Sequence, residues 1–132
     1  MTRPRTVAEW ERLEYRALMV LTDHVGRAQA IGMGELFEKV FDKPYENRIN
    51  HTKDLRRLVT LLRHKGKRIC SVSSKEGGGY YLAAAGSEMQ DYTRRLKIAA
   101  LRKLKQVAVL ERISLPKLLG QMALNAEAEA QP

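Results

Sequence analysis

The chain lacks the features of secreted and membrane-spanning proteins. Its 132 residues include one cysteine, Cys70, which excludes an internal disulfide framework and favours a reducing, cytoplasmic setting. An apolar run of about 18 residues, the usual minimum for a membrane-spanning helix, is absent. The first residues, MTRPRTVAEWERLEY, contain no apolar core of a signal peptide, so we expect no secretory leader.

Sequence signatures of catalysis and of metal binding are also missing. The chain has no GxSxG motif, no P-loop and no paired-carboxylate pattern. Its three histidines, His24, His51 and His64, are widely separated, whereas a zinc site needs three or four converging ligands. We therefore expect a protein that is not an enzyme and that uses no metal or other cofactor.

The sequence is instead rich in positive charge. It contains 24 Lys and Arg residues against 15 Asp and Glu, a formal net charge of +9. The excess lies in two segments, 51–75 and 94–117, in which the acidic residues are Asp54 and Glu111 alone. Such a concentrated excess favours a polyanionic partner, nucleic acid before an anionic membrane surface. Either segment taken alone is equally compatible with a solvated helix face.

Hydrophobic periodicity and turn residues predict a mainly helical chain with one β-hairpin. The predicted order is a helix over 7–21, a short strand over 28–31, a helix over 35–41, a turn over 42–50, a basic helix over 52–65, strands over 67–74 and 79–83, a long helix from 87 and a short helix over 113–124. Thr6 and Glu9 have the spacing of a capping box, and Asn50 or Thr52 is expected to cap the basic helix.

The hairpin segment, RHKGKRICSVSSKEGGGYYLA, brackets a glycine-rich tip. We expect Lys75–Gly78 to form a mobile loop, because glycine permits close backbone approach to a ligand. The pattern does not decide which strand face is buried. Of Tyr80 and Tyr81, we expect one to be buried and the other to be available to a sugar or base. Cys70 is expected to be a small core residue.

Three segments together resemble the winged helix-turn-helix superfamily. AIGMGELFEKVF corresponds to its short strand and supporting helix, HTKDLRRLVTLLRHKG to its recognition helix and KRICSVSSKEGGGYYLA to its wing. The stretch from DLRRLVTLLRHKGKRIC to GGGYYLA is most similar to small winged-helix proteins of bacteriophages and prophages. The turn over 42–50 departs from this pattern, since it is longer than the family's tight turn.

The resemblance, which covers residues 7–83, implies a fold class and a domain organisation. The expected class is α+β, mainly α with a small antiparallel β-hairpin. Residues 1–86 would form the winged helix-turn-helix domain, 87–125 a C-terminal extension of a long and a short helix, and 126–132 a flexible tail.

The resemblance also implies a function. It predicts a double-stranded DNA-binding protein that reads DNA with helix 52–65 and wing 67–83, either a phage or prophage-type transcriptional regulator or a replication-associated factor. Its location would be the cytoplasm or nucleoid of a bacterial host. The expected DNA-binding residues are Asn50, His51, Lys53, Arg56, Arg57, Thr60, Arg63, Lys65, Lys67, Arg68, Ser74, Lys75, Arg94 and Arg95. Residues near the helix start are expected on base edges, and those near its end on phosphates.

Two other functions fit the same pattern. In the first, the winged helix is a protein–protein interaction module, such as a phage counter-defence inhibitor or a replisome- or polymerase-binding factor. In the second, the same basic face binds RNA. The apolar stripe over residues 89–122 further suggests a homodimer. We expect no membrane partner.

Overall fold

The computed structural model describes residues 3–74 and 77–130, which form α-helices and a three-stranded antiparallel sheet. This confirms the α+β class. The elements are α1 (Val7–Leu21), a 3₁₀ turn (Arg27–Gln29), β1 (Ile31–Gly32), α2 (Met33–Phe41), α3 (Arg48–His64), β2 (Ile69–Ser74), β3 (Gly77–Leu82), α4 (Gly86–Glu111) and α5 (Leu115–Ala130). The chain divides into two compact units, Met1–Tyr92 and Thr93–Pro132.

Helix α1 begins at the predicted capping box. The Thr6 hydroxyl accepts a hydrogen bond from the Glu9 N–H (3.1 Å), and the Glu9 carboxylate accepts one from the Thr6 N–H (3.1 Å). A further bond from the Arg5 N–H, together with that from Thr6, lowers the pKa of Glu9. Both residues therefore satisfy backbone donors that the first helical turn leaves unpaired.

Helix α3 begins earlier than its sequence pattern indicated. Its N-cap is Asn47, whose side chain accepts from the Asn50 N–H (3.2 Å), so the prediction of Asn50 or Thr52 as cap is wrong. The connection from α2 therefore covers only 42–47, and Asp42 ends α2 in the left-handed conformation (φ 56°). Asparagine competes well for the N-cap because its short side chain reaches the free N–H groups.

The first unit packs α1, α2 and α3 against one face of the sheet. The apolar stripe of α3 lies at the centre, with Leu55, Leu58 and Leu62 fully buried. Burial of each leucine contributes roughly 1.5–3 kcal/mol. The core side chains are Trp10, Ala17, Leu21, Ile31, Leu36, Phe37, Val40, Phe41, Leu55, Leu58, Val59, Leu62, Ile69 and Tyr80.

The β2–β3 hairpin is covered on both faces. The strand order is β1-β3-β2, with Ile31 opposite Tyr80 and Cys70 opposite Tyr81. Tyr80 joins the helical core, whereas Tyr81 and Cys70 pack in a second cluster with Tyr92 of α4. Both tyrosines are thus buried, and the expectation that one is available to a sugar or base is wrong. Successive side chains of a strand point to opposite faces of the sheet. Here the helical core covers one face and the cluster around Tyr92 covers the other.

The glycines of the hairpin belong mainly to the strand. Ser74 pairs with Gly77, so Gly77 and Gly78, predicted to lie in the loop, are the first residues of β3. A Cβ atom at Gly79 would lie 2.6 Å from the carbonyl oxygen of Ile31. Glycine at this position is therefore required by the close approach of β1. Lys75 and Glu76 lie outside the described residues.

The second unit contains the rest of α4 and helix α5, joined by a turn in which Arg112 has φ 56°. The Ser114 hydroxyl accepts from the Lys117 N–H (3.3 Å), as a capping residue does. Helix α5 continues to Ala130, so the predicted helix over 113–124 is too short. Among the described residues of this unit, the buried apolar ones are Ala108 and Leu118.

We expect Gly79→Ala to destabilise the first unit by about 2 kcal/mol, because the added methyl group forces β1 away from β3. The measurement is urea-induced unfolding followed by circular dichroism. Gly78→Ala is the matched control, since its Cβ would meet the Val72 carbonyl oxygen at 3.3 Å, and a smaller loss is expected. Equal losses for the two variants would contradict the proposed role of the β1 contact.

Candidate nucleic-acid interface

Burial of the apolar stripe leaves one face of α3 exposed. Positions three and four residues apart share a face of a helix, so the side chains opposite the buried leucines project outward together. We call this exposed face the α3 ridge. Its residues are Ile49, Lys53, Arg56, Arg57, Thr60 and His64, all exposed. The ridge therefore presents cationic and hydrogen-bonding side chains along the length of the helix.

The one carboxylate of α3 does not offset the charge of this ridge. Asp54 is only 3% exposed and accepts hydrogen bonds from Arg3 at Nη2 (2.6 Å) and Nε (3.1 and 3.2 Å). This pairing raises the pKa of Arg3. Because Asp54 is already neutralised by a bidentate partner, the ridge keeps its positive charge.

Two neighbouring arginines form opposite edges of the ridge. The Arg57 guanidinium lies over the Trp10 ring of α1, 4.6 Å from its centroid. Burial raises the pKa of Tyr80 in β3, whereas the nearby charges of Arg63 and Arg56 and a side-chain hydrogen bond between Arg56 and Tyr80 act in the opposite direction. Arg57 thus lies toward α1 and Arg56 toward the sheet, so the ridge runs between these two elements.

The Arg63 side chain makes contacts within the fold. Its Nε donates to the Ile69 carbonyl (2.8 Å) and its Nη2 to the Tyr92 hydroxyl (2.7 Å). The Tyr92 hydroxyl also lies 3.1 Å from the Ser71 hydroxyl. Arg63 therefore joins the end of α3 to β2 and to the start of α4, and its predicted phosphate contact stays a prediction.

Lys65 is likewise occupied by a contact within the fold. Its Nζ donates to the Glu14 carboxylate of α1 (2.6 Å), and this bond raises the pKa of Lys65. Glu14 is a buried residue, so its charge needs this partner. The ion pair connects α1 to the C-terminal end of α3.

At the start of α3, His51 also packs inward. Its ring stacks on Phe37 (4.2 Å between centroids), and its Nδ1 accepts from the Asn47 N–H (3.3 Å). The Asn50 N–H donates to the same Asn47. These contacts help to begin the helix, and contact of His51 and Asn50 with bases remains untested.

The remaining predicted residues fall into four groups. Lys53, Arg56, Arg57 and Thr60 lie together on the ridge, and Lys67 and Arg68 are exposed just beyond α3. Ser74 is the last residue of β2, and Lys75 lies outside the described residues. Arg94 and Arg95 are exposed on α4 within the second unit.

The sequence analysis missed Ile49. It was assigned to a turn, but it lies in the first turn of α3 with 82% of its surface exposed. Its spacing of four residues from Lys53 would have revealed the shared face had the helix start been recognised. An exposed apolar side chain at this position can contact the methyl group of thymine.

Other kinds of site find no support in the described part of the chain. Residues 3–74 and 77–130 contain no group of three or more His, Cys, Asp or Glu side chains that could hold a metal ion. Over those same ranges, no helix is both long and apolar enough to cross a membrane.

No protein-family model, curated protein or solved structure matches the chain. Its function is therefore inferred from its own residues.

We expect Arg63→Ala to lower the free energy of unfolding by about 2 kcal/mol, because the substitution removes two hydrogen bonds at a junction of three elements. Lys67→Ala, which also removes one positive charge near the end of α3, should change it by less than about 0.5 kcal/mol. Chemical denaturation of both variants tests this. Indistinguishable midpoints would show that Arg63 is not a structural residue.

Proposed function

We propose that the chain is a double-stranded DNA-binding protein of the winged helix-turn-helix type, with α3 as recognition helix and the β2–β3 hairpin as wing. The observation that carries the proposal is the α3 ridge, a cationic helix face whose one carboxylate, Asp54, is buried and paired with Arg3. Solvated helix faces commonly mix both signs of charge. A face of one sign favours a polyanion.

The shape of this surface suits duplex DNA. The major groove is about 12 Å wide and admits one α-helix. On α3, Lys53, Arg56 and Thr60 form a single row on the outward side. In this arrangement Arg56 donates two parallel hydrogen bonds to guanine, and Thr60 contacts a neighbouring base edge.

The hairpin and the end of α3 supply the backbone contacts. Lys67 and Arg68 are exposed at the base of the hairpin, where long cationic side chains reach phosphates without reading sequence. Such contacts fix the register of α3 in the groove. The protein would act as a regulator of transcription or as a replication-associated factor, since both roles need recognition of a particular duplex site.

Fluorescence anisotropy on a random-sequence duplex and on the matched single strand tests the proposal, over about 50 to 300 mM salt. We expect preference for the duplex and a steep fall of affinity with salt, because each neutralised phosphate releases counterions. Absence of duplex binding at low salt would overturn the proposal. If the protein binds RNA and not the DNA duplex, the α3 ridge is an RNA-binding face.

Two variants then separate base reading from backbone contact on a site selected from a random library. Arg56→Ala should cost about 1–3 kcal/mol on the selected site and relax preference at one base pair. Lys67→Ala should weaken all sequences alike and reduce the salt slope by about one unit. If both variants lose affinity equally on every sequence, α3 does not read bases.

We further propose that the second unit binds a second copy of the chain. Its large apolar side chains are mostly exposed, and Ala108 and Leu118 alone among its described residues are buried. The exposed ones are Leu96, Ile98, Leu101, Val107, Val109, Leu110, Leu119, Met122 and Leu124. Segments below about 40 residues usually need another surface to be stable.

Charge favours the second copy over an unrelated partner. The second unit carries basic residues near its start, Arg94, Arg95 and Lys97, and acidic residues near its end, Glu127 and Glu129. In a two-fold dimer the same patch serves both copies. The acidic end of one copy can then face the basic start of the other.

Sedimentation velocity of the full chain tests the dimer. Leu119 (40% exposed) shares its face of α5 with Met122, three residues on, whereas Leu124 (67% exposed) lies on the opposite face. We expect a dimer for the natural sequence and for Leu124→Glu, and a monomer for Leu119→Glu. If the full chain is a monomer at every concentration, the proposal that a second copy binds this face is wrong.

A further inference from the structure

A second cationic surface lies beside the α3 ridge, between the N-terminal segment and α3. We call it the N-terminal cleft. Its charged and aromatic lining residues are Arg3, Arg5, Trp10, Lys53, Asp54 and Arg57. Arg3 and Arg5 were not among the predicted DNA-binding residues.

The cleft carries an uncompensated positive charge. It brings four cationic side chains together with one carboxylate, that of Asp54. Both carboxylate oxygens of Asp54 already accept hydrogen bonds from Arg3. Within the ranges that the structure describes, no ion pair joins Arg5, Lys53 or Arg57 to a carboxylate. Three positive charges around an open cleft favour an anionic ligand.

The arrangement is also preorganised. The bonds from Arg3 to Asp54 hold the N-terminal segment against α3, and Arg5 follows two residues later. The Arg57 guanidinium lies over the Trp10 ring, 4.6 Å from its centroid, and this contact restrains the Arg57 side chain. A planar guanidinium held in this way matches the oxygens of a phosphate group. Little side-chain entropy is then lost when the anion binds.

From these contacts we infer that the N-terminal cleft binds a backbone phosphodiester of the DNA duplex, a contact that rests on the proposed function. Lys53 belongs to both the cleft and the α3 ridge, so a duplex lying on the ridge passes the mouth of the cleft. Arg57 lies toward the cleft and Arg56 toward the hairpin. The recognition helix is thereby flanked by two backbone-binding elements, one for each wall of the groove.

Arg5→Ala in the full chain tests the inference without disturbing the buried Asp54. We expect the slope of log affinity against log salt to become about 0.9 less steep, the value for one phosphate contact, with the same fractional loss on every sequence. Arg12→Ala is the matched control. It removes an equal charge from α1, but Arg12 lies two residues after Trp10 and so on another side of the helix.

The single tryptophan supplies a second measurement in the cleft itself. In two-dimensional NMR spectra, we expect the Trp10 indole signal to shift on addition of duplex, and the shift to be lost in Arg5→Ala but kept in Arg12→Ala. Duplex binding with an unmoved Trp10 signal, or with equal salt slopes for the two variants, would overturn the cleft while leaving the proposed function intact. No duplex binding by the natural chain would overturn both.

Discussion

Burial of the apolar stripe of α3 constrains every other element of the first unit. Leu55, Leu58 and Leu62 contribute to a core shared by α1, α2 and the sheet, and the helix cannot rotate without exposing them. The same constraint fixes which side chains face outward. A helix with one buried stripe has only one free face, and in α3 that face is basic. Stability and the candidate interface therefore have a common origin.

Pairing divides the cationic side chains into two groups. Arg3, Arg63 and Lys65 bind acceptors within the fold and so connect α3 to the N-terminal segment, to β2 and to α1. These contacts satisfy polar groups, such as Asp54 and Glu14, whose burial would otherwise be costly. Among the residues that the structure describes, no ion pair joins Arg5, Lys53 or Arg57 to a carboxylate. Their charge is available to an external anion.

Much of the fold could be predicted because its signals are local. The helix over 7–21 follows from the period of its apolar residues, and its capping box from the spacing of Thr6 and Glu9. The central parts of α2, α3 and the hairpin follow from their apolar patterns. The start of α3 could not be predicted, since Asn47 and Asn50 are both good caps and only contacts with His51 and Phe37 distinguish them. Of the candidate site, the predicted residues Lys53, Arg56, Arg57 and Thr60 lie together on the exposed face, whereas Arg63, expected beside them, turns to Ile69 and Tyr92.

The α+β class, the concentration of positive charge and the outward face of α3 follow from the order of residues alone, because periodicity and composition are properties of neighbouring residues. Folding settles which cations are already paired, buries both Tyr80 and Tyr81, and brings Arg3 and Arg5 beside Lys53. Those outcomes depend on contacts between residues far apart in the chain. Arg3 and Asp54, 51 positions apart, meet only when the chain has folded, and no local pattern encodes such a meeting.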